Sequence, residues 1–286
     1  MTALKAVGVI GGGRMGSGIA QVFAAAGSMV TIVEADPAAA AAARDRVAMG
    51  LLRAAELGRL AEGADAVLAR VALADDVAGL PADADLVVEA VPEDAPLKVR
   101  VLAGVEAAAG EHVVLATNTS SLSIAGLAGA LHRPERLVGM HFFNPVPASK
   151  LVEIVVGPQT DGAVRDAARS WAAGLGKTPI VVRDSPGFAS SRLGVLLGLE
   201  AIRMLEEGVA DAESIDRAME LGYRHPMGPL RSTDLVGLDV RLAIAEHLTR
   251  ELGERFTPPR LLRDKVARGE LGRKTGQGFF TWEGQA

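Results

Sequence analysis

The sequence predicts an α/β fold: a doubly wound parallel sheet over residues 1–184, followed by a smaller all-helical domain over 185–286. Three observations carry this. Short apolar runs alternate with amphipathic stretches as far as Val182, the pattern of strands covered by helices on both faces. A glycine turn joins the first apolar run to the first amphipathic stretch. Beyond Asp184-Ser185-Pro186-Gly187 no convincing strand follows, and apolar residues recur only at helical spacing. The proline and glycine there suit a linker or hinge.

The first strand is Val7-Gly8-Val9-Ile10. The turn Gly11-Gly12-Gly13-Arg14-Met15-Gly16 then opens a helix that runs from about Arg14 to Ala26, with Ile19, Phe23 and Ala26 on one face and Gly27 ending it. Strand, glycine turn and helix in that order aim backbone amides at a pyrophosphate, the Rossmann-type arrangement. Gly11 permits the tight turn, Gly13 lets a phosphate approach the main chain, and Gly16 lets the helix pack on the strand. The second strand, Met29 to Val33, ends in Glu34, whose carboxylate would accept hydrogen bonds from an adenine ribose and repel a 2′-phosphate. The expected cofactor is therefore NAD, with Arg14 lying in the same region.

The remaining elements follow in order. Asp36-Pro37 opens a helix reaching about Leu57, and a second helix runs to Ala69. Strands are expected at Val71–Leu73, Leu86–Val91, Val113–Ala116, Leu137–Met140, Leu151–Val156 and Pro179–Val182. A helix from about Ala95 carries Leu97, Val101, Val105 and Ala108, and another spans about Val164–Ala173. In the second domain Leu193, Leu196, Leu197, Ala201 and Met204 form a stripe assigned to the core. Asp211 caps a helix that Gly222 ends, and Val240, Ile244 and Leu248 mark a further one.

Composition narrows the function classes. The formal net charge is −5, and no Lys/Arg block exceeds two residues, so no nucleic-acid partner is expected. The chain has no cysteine, which removes disulfides, thiolate nucleophiles and thiolate metal sites, and no metal is expected. No apolar stretch approaches the roughly 18 residues of a membrane span. With the first strand starting at Val7, no signal peptide is expected either, and the expected location is the cytoplasm.

A nicotinamide enzyme needs a proton-transfer group beside the hydride acceptor. Of five histidines, His112, His132, His225 and His247 lie in loops or on helix faces without an acidic partner placed by the sequence. His141 ends an apolar strand and is followed by Phe142-Phe143-Asn144-Pro145, where open sheets place their ligands. Glu153, twelve residues on, sits inside the next apolar strand, an expensive position unless paired. An imidazole is a suitable partner: the acid would fix its tautomer and stabilise the imidazolium. Thr119-Ser120-Ser121 emerge from the preceding strand. Their hydroxyls would cap the helix starting near Leu122, or hydrogen-bond a substrate oxygen.

GGGRMGSGIAQ, NTSSLSI, HFFNPVP with KLVEIV, DSPGF, YRHPMGPL with DLVGLD, and LGRKTGQGFF follow one another from Val7 to Trp282. In order and spacing this chain resembles the L-3-hydroxyacyl-CoA dehydrogenase family, including bacterial 3-hydroxybutyryl-CoA dehydrogenases. The resemblance implies a Rossmann domain plus a helical domain that dimerises, NAD, an acyl-CoA substrate, and oxidation of a short-chain L-3-hydroxyacyl thioester. It makes His141 the general base, Glu153 its orienting partner, and Ser120 a contact to the substrate oxygen and the nicotinamide side. It places Gly11, Gly13, Arg14, Met15, Gly16, Glu34, Glu93, Lys98, Asn144 and Lys274 at the cofactor. Read from the residues alone, Lys98 and Lys274 are ordinary solvated lysines.

Two departures stand out. Ser191 takes the place of an asparagine that offers the substrate carbonyl an amide donor, and serine is shorter. Where relatives use a serine and a lysine toward coenzyme A, this chain has Gly50 and Leu57, with Arg53 nearby. Two other functions therefore compete: a dehydrogenase of a free 3-hydroxy acid, and a dinucleotide-binding protein with weakened catalysis.

Overall fold

The computed structural model describes residues 4–282, which divide into two compact units between Ser185 and Pro186, one residue beyond the expected boundary. In the first unit the elements run β1 (Ala6–Ile10), α1 (Arg14–Ala25), β2 (Met29–Val33), α2 (Pro37–Glu56), α3 (Ala64–Leu68), β3 (Val71–Ala74), β4 (Leu86–Glu89) and α4 (Ala95–Ala108). They continue as β5 (Val114–Thr117), α5 (Ile124–Ala128), β6 (Leu137–Phe142), β7 (Leu151–Val156), α6 (Gly162–Gly174) and β8 (Thr178–Arg183). One sheet holds all eight strands in the order β3-β2-β1-β4-β5-β6-β7-β8. The order reverses between β1 and β4, and the crevice beyond their carboxyl ends is where such sheets take ligands.

The sheet is not parallel throughout. The first six strands are parallel, but β7 pairs antiparallel with β6, and β8 runs parallel to β7. The cause is the connection. Only Phe143–Lys150 separates β6 from β7, too short for the crossover a parallel pair requires, so the chain folds straight back.

The core of this unit lies between the sheet and α1, α2 and α6. Val7, Val9, Val30 and Ile32 present buried side chains to it, and Phe23 of α1 meets Phe142 edge-on, with ring centroids 6.4 Å apart. Helix α4 forms where expected, but its inward face is not the apolar repeat. Its buried residues are Lys98, Leu102 and Val105, spaced i, i+4, i+7, whereas Leu97, Val101 and Ala108 are not buried. A lysine thus heads the core-facing stripe.

The second unit comprises α7 (Ser190–Glu206), α8 (Ala212–Arg217), α9 (Pro229–Val236), α10 (Leu238–Leu252) and α11 (Arg260–Ala267). Asp211 caps α8 through the Ser214 N–H, and a π-helical turn carries the chain on to Gly222. The α7 stripe also needs correction. Val195, Leu199 and Ile202 face the core, together with Leu230, Leu238, Leu248, Phe256 and Leu262. Leu193 is 68% exposed and Leu196 38% exposed. Leucines occur on both sides of this helix, so composition alone could not choose the inward phase.

Two aspartates and two glycines hold the segments of this unit together. Asp216 accepts the Leu230 and Arg231 N–H groups at 2.8 Å and so caps α9 from a distance. Burial raises its pKa against the effect of those bonds. Asp234 accepts the Phe279 and Phe280 N–H groups and the Trp282 indole, at 2.8–2.9 Å, tying the C-terminal segment to α9. A side chain at Gly228 would collide with Asp216, and one at Gly278 with Asp234, which accounts for glycine at both positions.

Candidate active site

The glycine turn lies at the carboxyl end of β1, beside the switch point. Gly11 has φ +95°, a conformation glycine adopts without strain. A Cβ on Gly16 would strike the Gly11 carbonyl, so this glycine is required for helix α1 to lie against the turn. A Cβ on Gly13 would meet nothing within 4 Å, and no side chain caps α1. Space and uncapped amides at a helix N-terminus suit a dinucleotide pyrophosphate. Glu34, just past β2, accepts the Gly12 N–H at 3.0 Å, so the acid sits at the turn. Arg14 is exposed and Met15 half-buried. These residues fit NAD.

Across the switch point, the ends of β4 and β5 carry a buried polar cluster. Glu89, the last residue of β4, is fully buried and accepts Lys98 Nζ at 2.6 Å, the Val91 N–H at 2.8 Å and the Thr117 hydroxyl at 2.6 Å. Lys98 is 1% exposed, which overturns its reading as a solvated lysine. It also donates to the Val91 carbonyl, and its nitrogen lies 3.4 Å from Glu93 Oε2. The other Glu93 oxygen receives the Thr119 hydroxyl at 2.6 Å, the Ser120 N–H at 2.9 Å and the Ser120 hydroxyl at 3.1 Å. Burial tends to raise the Glu93 pKa, but the Lys98 charge and these hydrogen bonds prevail and hold it below the usual carboxylate value. Helix α5 is capped by Ser123, not by Thr119, Ser120 or Ser121, whose hydroxyls turn inward to this cluster.

On the next strands His141 and Glu153 stand directly opposite each other in the antiparallel β6–β7 ladder. His141 Nδ1 lies 2.7 Å from Glu153 Oε2, with the acid fully buried and the ring 7% exposed. No other histidine is buried. The twelve-residue spacing arises from strand reversal, which the parallel expectation did not contain. Asn118 accepts the Phe142 N–H at 2.8 Å and joins the serine turn to the end of β6. Asn144 is exposed, in a cis peptide bond with Pro145. Lys177 donates to the Val146 and Ser149 carbonyls at 2.7 Å and pins the loop that carries Asn144.

Ser191 and Lys274 belong to the second unit. Ser191 lies in the first turn of α7, half-buried, and Lys274 donates to both Asp239 oxygens at 2.6 Å. On α2, a side chain at Gly50 would collide with the buried amide of Gln21, so this helix face admits no serine without a shift. Leu57 and Arg53 are exposed. Sequence reasoning missed Glu89, Thr117, Asn118 and Lys177. Glu89 bore the same mark as Glu153, a carboxylate in an apolar run, and could have been found by it. Among the described residues no cluster of three or more metal-ligating side chains occurs.

Comparison with known proteins identifies the family. Residues 6–185 match the 3-hydroxyacyl-CoA dehydrogenase NAD binding domain, and residues 187–282 match the C-terminal domain of the same family. A probable 3-hydroxybutyryl-CoA dehydrogenase of Bacillus subtilis is 41% identical over 98% of both chains. A 3-hydroxybutyryl-CoA dehydrogenase of Mycobacterium tuberculosis is 42% identical, covering 98% of this chain and 99% of its own. The crystal structure of (S)-3-hydroxybutyryl-CoA dehydrogenase from Ralstonia eutropha superposes with a TM-score of 0.93 at 41% identity, over 98% of this chain and all of that one. Two domain matches that together cover nearly all of the described residues, with relatives of this likeness over almost the full length, make the chain a member of the 3-hydroxyacyl-CoA dehydrogenase family, an NAD-dependent oxidoreductase.

Proposed function

We propose that the chain oxidises short-chain L-3-hydroxyacyl-CoA, such as 3-hydroxybutyryl-CoA, to the 3-oxoacyl thioester, with His141 as general acid/base and Glu153 as its orienting partner. The observation that carries this is the 2.7 Å contact between a buried acid and the one buried imidazole, at the end of a sheet whose glycine turn suits a dinucleotide. Bound NAD supplies the hydride acceptor. The protein's part is proton transfer. With Nδ1 committed to Glu153, the ring takes the C3 hydroxyl proton through Nε2 as the C3 hydride departs, and the adjacent carboxylate stabilises the imidazolium. On this reading Ser120 addresses the substrate, and the turn Gly11–Gly16, with Arg14 and Met15, binds the cofactor together with Glu34, Glu93, Lys98 and Asn144.

The test is a steady-state screen of 3-oxoacyl-CoA thioesters and free 3-oxo acids with NADH and NADPH. Turnover is expected on the four-carbon thioester. Glu34 should favour NADH on the order of a hundredfold, since placing like charges together costs several kcal/mol. Activity confined to the free acids would reject the thioester, and equal rates with NADPH would reject the role of Glu34.

The helical unit supports a homodimer. Leu193 and Leu196 of α7, Val236 of α9 and Val240 of α10 are 38–68% exposed, apolar side chains that a partner copy would cover. Light scattering should give twice the 29.6 kDa chain mass, and a monomer mass would overturn the assignment.

A further inference from the structure

We infer that Glu89 is a positioning residue that sets the electrostatic preference of the cofactor site: its buried carboxylate leaves the Glu89–Lys98–Glu93 cluster with a net negative charge, which favours NAD⁺ over NADH. The inference rests on the placement of the cofactor proposed above. Adenosine at Glu34 beyond β2, and pyrophosphate at the glycine turn beyond β1, leave the nicotinamide half to extend over the next strands, β4 and β5. There Glu89 and Thr117 are paired in register, and the chain continues from Glu89 through Val91 to Glu93.

The charges can be counted. All three hydrogen bonds to Glu89 are donated to it, from an ammonium, an amide and a hydroxyl, the pattern of a carboxylate. One ammonium, Lys98, faces two carboxylates, at 2.6 Å from Glu89 and 3.4 Å from Glu93. Thr117, Thr119, Ser120 and Ser121, the other side chains bonded to the pair of acids, are neutral. One negative charge is therefore uncompensated. The oxidised nicotinamide ring carries a positive charge that the reduced ring lacks, while the rest of the dinucleotide is unchanged. A fixed negative charge nearby therefore acts on the difference between the two forms.

Glu89→Gln removes that charge with little disturbance. The amide oxygen still accepts from Lys98 and Val91, the amide N–H₂ donates to Thr117, whose hydroxyl rotates to accept, and Lys98 remains paired with Glu93. Dissociation constants for NAD⁺, NADH and ADP-ribose are measured by calorimetry on the full chain. The expected result is a rise of about fivefold in the NAD⁺/NADH ratio of dissociation constants, with ADP-ribose unaffected, the size one unit charge exerts through partly solvated protein. If both dinucleotides bind the wild type but the ratio does not move in the variant, the inference falls while the cofactor placement stands. Equal weakening of all three ligands would reduce Glu89 to a structural role and also overturn it. Wild-type protein that binds neither dinucleotide overturns the placement, and the inference with it. Should Glu89→Gln fail to fold, Glu93→Gln must move the ratio in the same direction, and an unchanged ratio there is equally fatal.

Discussion

His141→Gln is expected to lower kcat by about three orders of magnitude while the affinity for NADH stays within about twofold of wild type, since general acid/base groups contribute roughly 10²–10⁴ in rate. Glutamine keeps a polar group opposite Glu153, so the ladder and the buried acid retain a hydrogen-bonding partner. It cannot accept the hydroxyl proton. The loss should appear in kcat and kcat/KM together, as for an interaction made in the transition state. Stopped-flow measurement of hydride transfer, with cofactor titration on the same preparation, separates chemistry from binding. A variant that turns over within tenfold of wild type would remove His141 from the reaction.

Lys98→Met should cost about 3–5 kcal/mol of stability, the penalty for stranding one member of a buried pair. The partners here are 1% and 0% exposed, so Glu89 would remain in the interior opposite a methyl group. A contrast shows why burial decides. Arg217 and Glu213 form an i,i+4 pair at 2.9 Å with side chains 65% and 67% exposed, and removing it should cost only about 0.3–0.5 kcal/mol. The two variants are compared by urea denaturation. A Lys98→Met loss below about 1 kcal/mol would mean that water reaches the cluster.

Much of this was legible in the chain because local chemistry and global fold agree. The glycine turn, the Asp36 cap and the apolar strands each obey rules that act over a few residues, and all stand where those rules put them. His141 and Glu153 were legible because charge in an apolar run demands a partner. What escaped was set by contacts distant in sequence. The phase of α7 depends on which of its two leucine-bearing faces meets α9 and α10, and the burial of Lys98 depends on Glu89 receiving it. The direction of β7 followed from a loop length, available in the sequence but not weighed against the alternation of strands and helices.

That direction has a consequence for how the enzyme can diversify. Imidazole and acid are held by main-chain pairing on neighbouring strands, so their separation is inherited from the ladder rather than from the hairpin tip at Phe143–Lys150. Changes within the tip, apart from Asn144, should therefore leave the spacing of the His141–Glu153 pair intact. A slip of one position in the pairing is another matter: it would swing residue 153 to the opposite side of the sheet and part it from His141.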